Sequence, residues 1–219
     1  MNDGMTDQPV AFGCAPPAVT ENGTSPPRRR KNAEVRPREY LTEAEIERLR
    51  KHASLRDSTM ILLAFRHGLR VSELVALEWQ DVQDLGTESR ASLTVRRLKG
   101  SLDGTHPLEP DEVTALRKLL RERATMGGGS VYLFPSARGG RMTPAGFRKA
   151  LSRIAEAAGL GHLRIHPHML RHSCGQTLVD QMPLGMLADY LGHAQIQNTR
   201  IYSRANGERF RGIWRRRRK

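Results

Sequence analysis

From position 42 onward, apolar residues recur at helical spacing between polar ones, and the ends of these stretches carry residues suited to helix termini. Thr42-Glu43-Ala44-Glu45 has the S/T-x-x-E form of a capping box and stands ahead of Ile46 and Leu49, which predicts a first helix. A second is predicted over residues 58–67, with Ile61, Leu62, Leu63 and Phe65. Gly68 stops it, and a third runs from Arg70 through Leu74 and Leu77. Two β-like runs, residues 93–97 and 106–108, flank the turn-forming segment 100–104 and read as a small hairpin with Lys99 at its bend. Further helices are predicted over residues 110–124, 144–158, 168–179 and 183–190, with a short apolar strand over 131–134. The expected fold is mainly α with a small antiparallel β-sheet. No unit recurs at a spacing of about 20 to 50 residues, which excludes a solenoid.

Residues 1–38 lack this periodicity. They are rich in Pro, Gly, Thr and Asn, carry the basic run Arg28-Arg29-Arg30-Lys31, and read as a disordered tail. A length of 219 residues suits one domain with tails, long enough to bury a core without staples. The 38% hydrophobic and 27% charged content exclude a collagen-like or low-complexity chain. No apolar run approaches the roughly 18 residues of a membrane helix, the longest being residues 60–65, so no membrane association is expected. The first residues hold acids and no basic segment leading into an apolar one, which argues against a secretory leader. Cys14 and Cys174 form neither a disulfide framework nor a CxxC knuckle. A cytoplasmic location is expected.

Charge changes the picture. Lys and Arg number 36 against 23 Asp and Glu, a net +13, and only six of the basic residues are Lys. The tails do not hold all of it, for residues 32–214 keep a surplus of seven positive charges. A folded core with this excess suits a polyanion such as nucleic acid, although charge alone does not separate that from a basic, inert surface.

Four segments carry candidate chemistry. His168-Met169-Leu170-Arg171-His172 follows Pro167, a good first-turn residue, and His168 and Arg171 share a helix face that can hold one anion. The plainer reading is a solvated His/Arg face over a core-anchored Met169 and Leu170. In Gly68-Leu69-Arg70-Val71-Ser72-Glu73-Leu74, Arg70 opens a helix, where free N–H groups and the dipole favour a phosphate; alternatively it pairs with Glu73 at i+3. Leu191-Gly192-His193 ends a helix, and nine residues on stands Tyr202, flanked by Arg200 and Arg204. A phenol titrates near about 10 and is a poor nucleophile unless cations stabilise its phenolate, so Tyr202 alone reads as a core or surface aromatic. The histidines at 162, 166, 168 and 172 invite a zinc, but no intervening Glu, Cys partner or nearby carboxylate completes an HExxH or deaminase signature. Asp81 and Asp84 lack the partners of a two-metal site, and no P-loop is present. No cofactor or metal is expected.

Taken in order, Arg70, Lys99, His168, Arg171, His193 and Tyr202 resemble the active-site series of the tyrosine recombinases, the phage integrase family. The contexts match as well: Gly-Leu-Arg-Val-Ser-Glu-Leu around Arg70, His-Met-Leu-Arg-His around Arg171, Leu-Gly-His at 191–193 and the nine-residue step to Tyr202. A closer likeness, to the fimbrial phase-variation recombinases that flip a promoter segment, rests on Arg97-Leu98-Lys99, Thr105-His106-Pro107-Leu108, the run from Ile165 to Gly175, and Gly212-Ile213-Trp214. The resemblance implies the fold of a tyrosine recombinase catalytic domain, the DNA breaking-rejoining enzymes, over residues 39–214, between the tail 1–38 and a basic tail 215–219. Most of the family carries a further DNA-clamping domain of roughly a hundred residues, for which the N-terminal tail is expected to have no room.

The resemblance also implies a mechanism. Tyr202 attacks a scissile phosphate to give a 3′-phosphotyrosine, Arg70 and Arg171 hold the non-bridging oxygens, Lys99 is the general acid, and His168 and His193 assist. Glu73 is read as a buttress and His172 as structural. The implied partners are double-stranded DNA with paired recombination sites, three further copies in a homotetramer, and DNA-bending accessory proteins. Residues 206–214 are a candidate helix for docking on a neighbouring subunit or on its own domain. Competing readings are a DNA-relaxing topoisomerase of the same chemistry, a catalytically inactive or accessory DNA-binding regulator with this fold, and a zinc hydrolase.

Overall fold

The computed structural model describes residues 38–97, 103–125, 129–193, 195–199 and 202. The capping box forms as expected: Thr42 Oγ1 accepts from the Glu45 amide while the Glu45 carboxylate accepts from the Thr42 amide, and α1 (Glu43–Lys51) turns Ile46 and Leu49 inward. The second helix, α2 (Leu55–Arg66), begins three residues earlier than the periodicity suggests, because Ser54 caps it by accepting from the Asp57 amide at 3.2 Å. Its middle, Met60 to Ala64, is buried on every side. It packs against α1, α4 (Pro110–Thr125) and α6 (Pro167–Leu178) and so forms the axis of the domain.

Gly68 ends α2 with a φ of +57°, and Leu191 fills the space its missing Cβ leaves. The third helix, α3, is a single turn, Val71–Leu74, rather than one running through Leu77. The Leu77 carbonyl accepts from the Leu133 amide at 2.8 Å, and the Trp79 amide donates to Val131 at 3.0 Å. The segment 131–134 is therefore present beside residues 77–79 but is not the predicted strand: a lone bridge, Glu78 with Tyr132, is all that it makes there. Leu133 and Phe134 are buried, whereas Val131 is exposed.

The predicted hairpin forms as β2 (Ser92–Val95) and β3 (Gly104–Pro107), with Leu93 opposite His106. A strand not foreseen, β1 (Val82–Gln83), pairs antiparallel with β2 and makes a three-stranded sheet in the order β1-β2-β3. Two residues are too few to show an alternation. Leu93, Val95 and His106 face the core. The bend with Lys99 lies outside the described residues.

After α5 (Pro144–Ala157), which packs beside α3, the chain enters α6 through Pro167 at its first turn. The helix α7 (Leu184–Leu191) closes with Gly192 at a φ of +63°. Among the described residues, no helix is long and apolar enough to cross a membrane.

Candidate active site

Arg70 occupies the N-cap position of α3. Its amide and guanidinium both donate to Glu73, at 2.9 and 2.7 Å, so the pairing foreseen as one alternative is present. Glu73 Oε2, which accepts the Arg70 amide, accepts from Arg97 as well, at 3.0 Å. Arg97 stands just after β2, and its side chain is fully buried; it also donates to the carbonyls of His67 at 3.2 Å and Tyr190 at 2.7 Å. Burial by itself would raise the Glu73 carboxyl, but the hydrogen bonds from Arg70 and the charges of Arg97 and Arg70 overcome it and hold the group ionised. Glu73 is thus the buttress that the sequence suggests.

Arg171, on α6, is not on a solvated face. It is among the largest fully buried side chains and donates to the carbonyls of Gly68 and of Leu191, the latter at 2.7 Å. Burial, and then the charges of Arg70 and Arg97, push its guanidinium down to about 10. Arg171, Arg70 and Arg97 therefore repel one another across a small volume, and Glu73 is the carboxylate that opposes them.

Both predicted histidines join this group. His168 lies at the exposed edge of α6, its ring edge-on to His172 at 4.4 Å; partial desolvation, then His172, Arg171, His166 and Arg70, lower it to about 4. His193 follows the Gly192 turn, with Nδ1 2.8 Å from Thr199 Oγ1. Burial and the charges of Arg171, Arg70, Arg97 and His168 lower it to about 4 as well. Tyr202 is 6% exposed, and its hydroxyl lies 3.1 Å from His172 Nδ1. Burial raises the phenol to about 12 against the opposing charge of Arg171.

The fold thus brings Arg70, His168, Arg171, His193 and Tyr202 together, whereas Lys99 lies outside the described residues. Sequence reasoning missed two partners. Arg97 appeared in it only as a neighbour of Lys99, and its burial against Glu73, 24 positions away, has no local signal. His172, expected to be structural, bonds the Tyr202 hydroxyl. Its position immediately after Arg171 was the available clue. Among the described residues no group of three or more His, Cys, Asp or Glu side chains converges as metal ligands do.

The arrangement is a cluster of cationic groups beside a phenol, suited to holding a phosphate-like anion. The phage integrase family model matches residues 39–209. The type 1 fimbriae regulatory protein FimE of Escherichia coli K12 is 37% identical over 190 residues, which cover 82% of this chain and 92% of that protein. The type 1 fimbriae regulatory protein FimB of the same strain is 38% identical over 189 residues, with 83% and 92% covered. Among solved structures, XerA recombinase is similar with a TM-score of 0.68 and 30% identity, and XerH recombinase bound to its difH substrate with 0.65 and 25%. These alignments cover 82% and 81% of this chain, and 65% and 53% of the two solved chains. The chain thus spans just under two thirds of the one and about half of the other.

Proposed function

The chain belongs to the phage integrase family, and we propose from this premise that it is a site-specific tyrosine recombinase that cleaves and rejoins DNA through Tyr202. The observation that carries this reading is the surplus of positive charge around Arg171. Burial of the site and the positive charges of its arginines hold down the protonation of Arg171, His168 and His193, with Glu73 set against them, a balance that a bound phosphodiester would complete.

In this mechanism the Tyr202 oxygen attacks phosphorus, and the bond to the 5′-oxygen breaks as the 3′-phosphotyrosine forms. Arg70 and Arg171 stabilise the charge that grows on the non-bridging oxygens. Lys99 delivers a proton to the departing 5′-oxygen, and the phenol passes its own to the His172 ring nitrogen beside it as it attacks. Phosphate raises the proton affinity of His168 and His193, which lets them share in these transfers. Rejoining reverses the same steps with a different 5′-hydroxyl. The phosphodiester energy is kept in the tyrosyl ester, so ATP is not required.

DNA is the partner that the exposed Arg148, Lys149 and Arg153 of α5 favour, since α5 packs beside the helix that Arg70 caps. The likeness to two fimbriae regulatory proteins supports inversion of a DNA segment as the outcome. Two paired sites and four copies of the chain, aided by DNA-bending proteins, would assemble the reaction in the bacterial cytoplasm. The test is a denaturing gel of the purified protein on a nicked suicide substrate carrying the inverted repeats, in chelator and without ATP. A covalent protein–DNA band that disappears in Tyr202→Phe is expected. Binding of the same DNA with no such band would favour an accessory DNA-binding regulator instead.

A further inference from the structure

Gly175 stands in the buried interior of α6, a place where glycine weakens a helix relative to alanine. Neither the core nor the pocket described above gives it a task. A Cβ built on it would lie 2.5 to 2.7 Å from Cζ, Cε2 and Cε1 of Tyr202, closer than real side-chain contacts come. The hydroxyl end of the Tyr202 ring therefore rests against bare helix backbone. One turn earlier on the same helix, His172 Nδ1 meets the Tyr202 hydroxyl at 3.1 Å. Cys174, Leu187 and Leu191 enclose the ring within an apolar cluster. Arg171 and Gly175 are four residues apart, so they share a face of α6.

We propose that Gly175 is a positioning residue for the nucleophile: the missing side chain forms a seat on α6 that sets how closely the Tyr202 hydroxyl approaches Arg171, with His172 holding it there. The inference rests on Tyr202 being the nucleophile. It accounts for a glycine in the one helix that also carries His168 and Arg171, since any larger residue would displace the ring from the helix that bears the cation it needs. It also makes this position an inherent determinant of rate rather than of DNA affinity, because Gly175 touches the phenol.

The test uses the full chain with Gly175→Ala, Tyr202→Phe, Tyr202→Ala and the Gly175→Ala/Tyr202→Ala pair. Single-turnover formation of the covalent complex is measured on the nicked substrate, DNA affinity by gel shift, and melting temperature by circular dichroism. Gly175→Ala is expected to slow covalent complex formation about a hundredfold, the scale of a misplaced reacting group, with DNA affinity unchanged. Alanine should lower the melting temperature while Tyr202 is present and raise it once Tyr202→Ala has emptied the seat, since only helix preference then remains. Unchanged cleavage overturns the proposal whatever the melting shows. Slowed cleavage without this reversal in melting also overturns it, because the effect would then not pass through Tyr202. A covalent band that survives Tyr202→Phe would instead refute the nucleophile assignment itself.

Discussion

Arg97 and Arg171 donate to the same acceptor, the carbonyl oxygen of Gly68. Gly68 turns the chain out of α2 in the left-handed conformation, and from this turn the chain passes directly to Arg70. One backbone oxygen thus ties the end of β2 and the middle of α6 to the residue that caps α3. The side chain of the preceding residue, His67, is buried, with its Nδ1 3.2 Å from His106 Nδ1 and its Nε2 close to the buried Glu112 carboxylate. Backbone carbonyls of Gly68, His67 and Leu191 thus hold the two buried arginines in place.

The two arginines on Glu73 differ in burial, and this separates their effects. Arg97→Ala would leave a buried carboxylate half paired and should cost about 3 kcal/mol of folding stability. Arg70 is one-third exposed, and Arg70→Ala should cost about 1 kcal/mol or less while reducing cleavage by orders of magnitude. Urea denaturation alongside single-turnover cleavage measures both. Equal losses of stability would show that Glu73 does not distinguish them.

Acid should destabilise the fold before the carboxylates titrate. His106, His168 and His193 fall from an ordinary 6.5 to about 3, 4 and 4, in each case first through burial. The unfolded chain therefore binds these protons at a higher pH than the folded one. Their contribution is complete above about 6.5 and is lost as the pH falls toward 4. The urea midpoint is expected to be lower at pH 5 than at pH 7.5, and an unchanged midpoint would contradict the neutral state of these rings.

Lys99→Ala is expected to lose about a hundredfold in cleavage of an ordinary phosphodiester. The loss should be restored on a 5′-bridging phosphorothiolate, whose thiolate departs without a proton. If the modified substrate brings no recovery, the general acid lies elsewhere.

Tyr202 bonds His172, the residue next to Arg171, within a single chain. Cleavage should accordingly use both groups from one subunit. A mixture of Arg171→Ala and Tyr202→Phe proteins should yield no covalent product on the nicked substrate, and product from the mixture would mean that the tyrosine is delivered to a neighbour.

The elements most legible in the sequence are those built from neighbours. The Thr42-to-Glu45 box, Pro167 at the start of α6, Gly68 and Gly192 at helix ends and the β2–β3 hairpin all depend on contacts within a few residues. The strand expected at 131–134 failed because its backbone is spent on residues 77–79, about fifty positions away. The helix expected through Leu77 ended early for the same reason.

The site divides along the same line. Residue types and order by themselves determined the basic, mainly α domain, the family and the candidates Arg70, Lys99, His168, Arg171, His193 and Tyr202, because motif contexts are local in the chain. Tertiary structure alone decided that Arg171 is buried, that Arg97 shares Glu73 with Arg70, and that Tyr202 rests on Gly175 beside His172. These relationships join positions 24 to 103 residues apart. Charge and hydrogen-bond geometry act through space, and only the packing of α2 against α6 and of the hairpin against the Gly68 turn brings those atoms within reach.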